Sequence, residues 1–285
     1  MINEPGLKLQ DKTDKELEHL SKELDYYFGE EKQQIIEEVK RRNSLKAKKV
    51  KQEKSVYHSK LELIIVLFFG FAFIIYNSTI AILYDYTSDE ILVSNNGNYI
   101  LTLYQIITLA IIGVYLKYRG WKLSDFNLGF KFRMILIAIL LFYFTNLLIN
   151  ISSGITGFVN PELFNPGNNP EYTLNANWIS LSMILVINSI YEESLLIGYL
   201  FKRLEKLNPI VVICFSMLIR LSFHTYQGWL MLFTIIPMAL VYGIYYWKFK
   251  RLWPLIIAHG IHNLLVFLSL QYQWHEKLQS LNDAL

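Results

Sequence analysis

The sequence has little cysteine, and it has little charge outside its first residues. A single cysteine, Cys214, occurs in 285 residues, so neither a disulfide framework nor a cysteine-rich zinc site is expected. Charged residues make up 18% of the chain, whereas soluble domains carry about a quarter, and about half of these charges lie in the first 60 residues. The rest of the chain is too apolar for a soluble enzyme.

Long apolar runs fill the chain after residue 60. Each run has about 18–25 residues, the length at which a helix crosses a hydrocarbon core of about 30 Å. A water-filled outer-membrane barrel is excluded, because its strands would alternate in short segments. The runs predict an all-α, polytopic integral membrane protein with about seven transmembrane helices. The predicted spans are 62–84, 99–116, 133–154, 177–201, 208–226, 229–247 and 252–271.

The first 60 residues are too polar for a cleavable signal peptide, so the first span is expected to act as the insertion signal. Between Asp14 and Arg42 the leucine and isoleucine residues recur at helical spacing, with Gly29 as a break, which predicts a small helical hairpin. A basic block follows from Lys40 to Lys60. This block is typical of an orientation signal that contacts anionic lipid, and we expect no nucleic-acid partner.

The loops between the spans differ in charge. Lysine and arginine cluster in alternate loops, and the loops between them are acidic or neutral. The positive-inside rule therefore predicts a multi-pass protein of the cell membrane with a cytoplasmic N-terminus. The predicted domains are a cytoplasmic charged helical segment at 1–60, a transmembrane domain at 61–272 with its motif core at 177–271, and a short extracellular tail at 273–285. The outer loop at 155–176, rich in Pro, Gly and Asn, is expected to be irregular.

Ionisable side chains inside a membrane span are costly and mark a functional site by default. None occurs in the interior of the first three predicted spans. The later spans contain these polar groups: Glu192 and Glu193 in the fourth, Arg220 and His224 in the fifth, and His259 and Asn263 in the seventh. The fourth and fifth spans form an antiparallel pair about Leu207, and counting from this turn places Arg220 opposite Glu193.

This set of residue types is suited to hydrolysis. A buried glutamate beside a histidine can accept the proton of a water molecule, and a facing His–Asn pair can donate to an oxyanion. Glu192, His224 and His259 can instead hold a divalent metal such as zinc, which would lower the pKa of that water. The spacing of the residues does not separate these two chemistries.

The same residues resemble the motifs of the CPBP family, the CAAX-protease and bacteriocin-processing (Abi) intramembrane proteases. The family pattern is Glu-Glu-x-x-x-Arg, then Phe-x-x-x-His, then His-x-x-x-Asn/Asp, each on its own helix. Glu192-Glu193, His224, and the pair His259 and Asn263 are similar to these motifs. The resemblance implies an all-helical membrane fold in which Glu192 and His224 activate water while His259 and Asn263 hold the oxyanion.

Two positions depart from the family pattern. Ile197 stands where the family has arginine, and Arg220 stands where it has phenylalanine. A buried Glu193 without a cation would cost several kcal/mol. We therefore expect Arg220 to supply the guanidinium from the neighbouring helix, so that Glu193 and Arg220 support the site electrostatically.

The sequence thus predicts an intramembrane endopeptidase that cleaves a peptide or a membrane-associated protein. The alternative is a non-catalytic membrane scaffold or a bacteriocin self-immunity protein with the same fold. Only the protease should lose function when Glu192 is changed to Gln at unchanged abundance.

Overall fold

The computed structural model describes residues 9–27, 29–56, 60–83, 91–164 and 172–273. The chain divides into two compact units, Met1–Ser59 and Lys60–Leu285. All of the predicted tail after residue 273 lies outside the described residues.

The first unit contains the predicted helical hairpin. Helix α1 spans Asp14–Lys22 and helix α2 spans Gly29–Val56. Gly29 has a φ of +62°, a backbone conformation that glycine adopts without strain, and it ends the connection between the helices. The hairpin closes over a small core of Leu9, Leu17 and Ile35, against which Leu20, Leu24, Tyr27 and Val39 pack.

Part of the basic block is paired within this unit. Arg41 and Arg42 both donate to the carboxylate of Glu38, and these hydrogen bonds lower the pKa of Glu38 to about 2. Arg42 also donates to the backbone carbonyl groups of Leu9 and Lys12, which ties α2 to the residues before α1. These two arginine side chains therefore help to stabilise the hairpin.

Seven helices in the described part of the chain are long and apolar enough to cross a membrane. They are α3 (Lys60–Leu83), α4 (Asn95–Tyr118), α5 (Arg133–Val159), α6 (Trp178–Arg203), α7 (Pro209–Gln227), α8 (Met231–Phe249) and α9 (Trp253–Gln271). The predicted all-α membrane fold with seven spans is confirmed.

A short sheet differs from the prediction of an irregular loop at 155–176. Strand β1 (Ile91–Ser94) pairs in parallel with strand β2 (Tyr172–Asn175), and α5 continues to Val159. The two strands run in the same direction, and each precedes a helix: β1 leads into α4 and β2 into α6. The prediction was wrong for these residues because loop composition carries no information about a partner segment 81 positions away. Residues 165–171 lie outside the described part.

Helix α6 is the most enclosed of the spans. In its most apolar part 67% of the residues are buried, against 22% in α3 and α5. It packs between α4 and α9, while α7 packs against α8 and α3. Polar groups on α6 are therefore held away from lipid by the surrounding helices.

Candidate active site

The two adjacent glutamates lie where α6 changes its winding. The helix is regular from Trp178 to Glu192, π-helical from Glu193 to Tyr199, and regular again from Leu200 to Arg203. A π-helical section is rare and is frequently found at functional sites. It also changes which residues of α6 face the neighbouring helices, so the direction of each side chain after Glu192 differs from that in an ideal helix.

Glu193 joins three helices. Its Oε1 atom accepts from Arg220 Nη2 of α7 at 2.6 Å and faces His259 Nδ1 of α9 at 2.7 Å. Glu193 is fully buried, and Arg220 is 1% exposed. The contact predicted between Arg220 and Glu193 is present, and it gives this carboxylate a permanent counter-charge in the apolar interior.

Glu192 accepts one side-chain hydrogen bond, whereas Glu193 has two close partners. The Oε1 atom of Glu192 accepts from Asn188 Nδ2 at 2.9 Å, and Arg220 Nε lies 3.5 Å from its Oε2 atom. His224 Nε2 is 3.9 Å from Oε1, longer than a direct hydrogen bond. Among the described residues, Oε2 of Glu192, Oε2 of Glu193 and both ring nitrogens of His224 have no hydrogen-bond partner.

The remaining predicted residue, Asn263, is half-buried on α9, one turn after His259. No hydrogen bond joins its side chain to another described residue. Its neighbour His262 packs edge-on against Phe142, with ring centroids 4.8 Å apart. The structure therefore brings Glu192, Glu193, Arg220, His224 and His259 together, and it leaves Asn263 one helical turn beyond them.

The group of side chains with metal-ligand geometry differs from the predicted one. Glu192, Glu193 and His259 present ligand atoms within 4.8 Å of one another, so Glu193 takes the place predicted for His224. These are ligand types that zinc accepts. However, the guanidinium of Arg220 contacts both carboxylates, at 2.6 and 3.5 Å, and would repel a second cation. The fit to a metal is therefore poor while Arg220 is in place.

Sequence analysis missed two polar residues that reach the site. Asn188 contacts Glu192, and Gln105 on α4 donates to Asn188 Oδ1 at 2.6 Å. Both residues are uncharged amides, and Asn263 was the one amide among the predicted site residues. The available signal was an asparagine four residues before Glu192, which places both side chains on one face of a helix.

A second polar cluster, away from the motif residues, was also missed. Glu62 in the first turn of α3 is fully buried and accepts from Arg119 Nε and Trp121 Nε1, both at 3.1 Å. Arg203 Nε, at the end of α6, is 3.6 Å from the same carboxylate. Two arginines that the sequence analysis counted as loop charges thus pair with a buried acid.

The motif-bearing part of the chain also matches a known family. Residues 174–265 match a family described as type II CAAX prenyl endopeptidase Rce1-like, whose members are proteases of the membrane. This segment runs from β2 into α9 and contains Glu192, His224, His259 and Asn263. No curated protein and no solved structure matches the chain. The resemblance to the CPBP family of CAAX-type intramembrane proteases is thereby confirmed for the segment that carries the three motifs.

Proposed function

We propose that this protein is an intramembrane endopeptidase in which Glu192 activates the attacking water. The observation that carries the proposal is the contrast between two adjacent buried carboxylates. Arg220 Nη2 and His259 Nδ1 contact Glu193 Oε1 at 2.6 and 2.7 Å. Glu192, in contrast, accepts a side-chain hydrogen bond from only one described residue, the neutral amide of Asn188. Adjacent acids in unequal surroundings support unequal roles, here a fixed anion and a base.

The proposed reaction begins with a water molecule held by Glu192 and His224. The 3.9 Å between their facing atoms is too long for a direct bond, and both groups can bind the same water. Glu192 accepts a proton as the water oxygen attacks the carbonyl carbon of the peptide bond. The tetrahedral intermediate then collapses, the C–N bond breaks, and the proton passes from Glu192 to the leaving nitrogen.

His259 and Asn263 would stabilise the oxyanion of this intermediate. With Nδ1 of His259 against Glu193, the ring can donate through Nε2 only if both nitrogens carry protons. The two buried carboxylates supply the negative charge that compensates such an imidazolium and the nearby Arg220. Glu193 and Arg220 therefore support the site without touching the substrate.

We propose a peptide or a membrane-associated protein as substrate, cleaved within the bilayer. We also propose that the N-terminus faces the cytoplasm, since the basic loops fall on one side of the predicted topology. In this arrangement residues 1–60 form a cytoplasmic segment and residues 61–272 form the protease domain of a multi-pass cell-membrane protein.

The test compares the termini of membrane proteins, by mass spectrometry, in cells with wild type and with Glu192→Gln at matched abundance. New termini that occur only with wild type are expected, and they identify the substrate. Glu205→Gln is the control, because Glu205 is exposed and paired with Lys202 on the surface. Identical termini in all three strains, together with a phenotype of the deleted gene, would contradict the protease and favour the non-catalytic scaffold.

A further inference from the structure

A short chain of two amide side chains reaches Glu192 from the neighbouring span. Gln105 Nε2 on α4 donates to Asn188 Oδ1 at 2.6 Å, and Asn188 Nδ2 donates to Glu192 Oε1 at 2.9 Å. Gln105 is 2% exposed and Asn188 is half-buried, so water competes little for these bonds. We call Gln105 and Asn188 the amide arm.

The direction of the amide arm is fixed by the charge on Glu192. A carboxylate only accepts hydrogen bonds, so the amide nitrogen of Asn188 must face Glu192 and its oxygen must face Gln105. Gln105 can then meet that oxygen only with its own nitrogen. The arm therefore presents a hydrogen-bond donor to Glu192, which suits the ionised state in which Glu192 can act as a base.

The amide arm counteracts the attraction between Glu192 and Arg220. Arg220 Nε lies 3.5 Å from Glu192 Oε2, and both Nε and Nη1 of Arg220 lack a hydrogen-bond partner among the described residues. Without Asn188, the carboxylate of Glu192 would gain by turning toward this guanidinium. The turn would change the position of Oε1, the atom that lies 3.9 Å from His224 and faces the proposed water.

We infer that Asn188 and Gln105 are positioning residues, which hold the carboxylate of Glu192 in the orientation that faces His224. The inference rests on the proposed function. Asn188 acts on Glu192 directly, and Gln105 acts through Asn188 by fixing the direction of its amide.

The test uses purified full-length protein and a fluorescence-quenched peptide with a prenylated cysteine near its C-terminus. We expect Asn188→Leu to lower kcat about tenfold or more with an unchanged KM, because a hydrogen bond to a charged group is lost. Gln105→Leu should lower kcat less, and it should have no further effect when combined with Asn188→Leu. The control is Thr102→Val, a near-isosteric change of a residue that is 1% exposed on the same face of α4.

A second measurement does not require turnover. The infrared difference spectrum between wild type and Glu192→Gln isolates the carboxylate stretching bands of Glu192. We expect these bands to shift in Asn188→Leu and Gln105→Leu and to stay in place in Thr102→Val.

The outcomes separate the two proposals. Cleavage that requires Glu192 but is unchanged in Asn188→Leu would overturn the amide arm and leave the protease standing. Unshifted bands, kcat losses that multiply in the double variant, or an equal loss in Thr102→Val would also overturn it. If no cleavage depends on Glu192, the proposed function is contradicted instead. If the infrared bands still shift in that case, the amide arm contacts Glu192 but has no role in catalysis.

Discussion

Arg220 on α7 and Glu193 on α6 form a fully buried ion pair, with 2.6 Å between Nη2 and Oε1. The position at which the CPBP pattern has its arginine is Ile197, which is 1% exposed in the π-helical section of α6. The guanidinium thus comes from the adjacent helix, and it also lies 3.5 Å from Glu192. A cation is retained beside the two carboxylates although the pattern residue is lost.

Removing this cation should destabilise the protein more than removing the whole pair. Arg220→Met leaves two carboxylates in an apolar interior, and breaking a buried pair in this way costs about 3–5 kcal/mol. The double variant Arg220→Met with Glu193→Gln removes one of those charges and should recover part of the lost stability. The measurement is thermal unfolding in detergent, and equal melting temperatures for the two variants would contradict the prediction.

Exchanging the two charges gives a more specific expectation. Glu193→Arg with Arg220→Glu preserves the ion pair but removes the carboxylate that faces His259 Nδ1. We therefore expect the exchanged pair to restore abundance relative to either single change, without restoring cleavage of the peptide. Full recovery of cleavage would show that His259 does not need Glu193.

The buried cluster around Glu62 should stabilise the folded protein. Glu62→Gln removes the buried carboxylate that lies 3.6 Å from Arg203, and it weakens the bonds from Arg119 and Trp121. A loss of several kcal/mol in unfolding free energy is expected. Glu205→Gln, which disrupts an exposed ion pair, should change it by less than about 1 kcal/mol. Equal melting temperatures for the two variants would argue against a stabilising role for Glu62.

The close approach of α7 and α8 depends on Gly243. A Cβ atom at this position would lie 2.8 Å from Ile213 Cγ1 and 3.1 Å from its Cγ2, and the branched side chain leaves little room to shift. Gly243→Ala should therefore destabilise the protein by about 1–3 kcal/mol. The control is Gly113→Ala on α4, where nothing lies within 4 Å of the added atom.

A double-mutant cycle tests the cause of that loss. In the background of Ile213→Ala the clashing atoms are gone, so Gly243→Ala should carry little or no further penalty. Thermal unfolding of the four proteins provides the comparison. If the penalty of Gly243→Ala persists in that background, steric conflict with Ile213 is not its origin.

Metal removal should leave peptide cleavage unchanged. Arg220 contacts both carboxylates of the group formed by Glu192, Glu193 and His259, and it would repel a divalent cation there. Cleavage rates within twofold of the untreated enzyme are expected after dialysis against EDTA or phenanthroline. Loss of cleavage that added zinc restores would establish the metal-assisted reaction instead.

The sequence determined the features that depend on residue position along one helix or along two helices joined by a tight turn. Apolar runs fixed the number of spans, because the length needed to cross a bilayer is set by the helical rise. Residue counting from a tight turn also placed Arg220 opposite Glu193, since two antiparallel helices rise equally from their common connection. Charge and motif order then pointed to Glu192, His224, His259 and Asn263.

Only the tertiary structure decided which of these groups touch. His259 faces Glu193, and Glu192 is held by an amide arm that begins on α4. These contacts join helices far apart in the chain, so they depend on helix tilt, on packing and on the π-helical section of α6. Such geometry results from many side-chain contacts across the bundle, and it cannot be deduced from residue spacing along one helix. The unequal surroundings of Glu192 and Glu193 therefore arise from the fold, although the two residues are neighbours in the sequence.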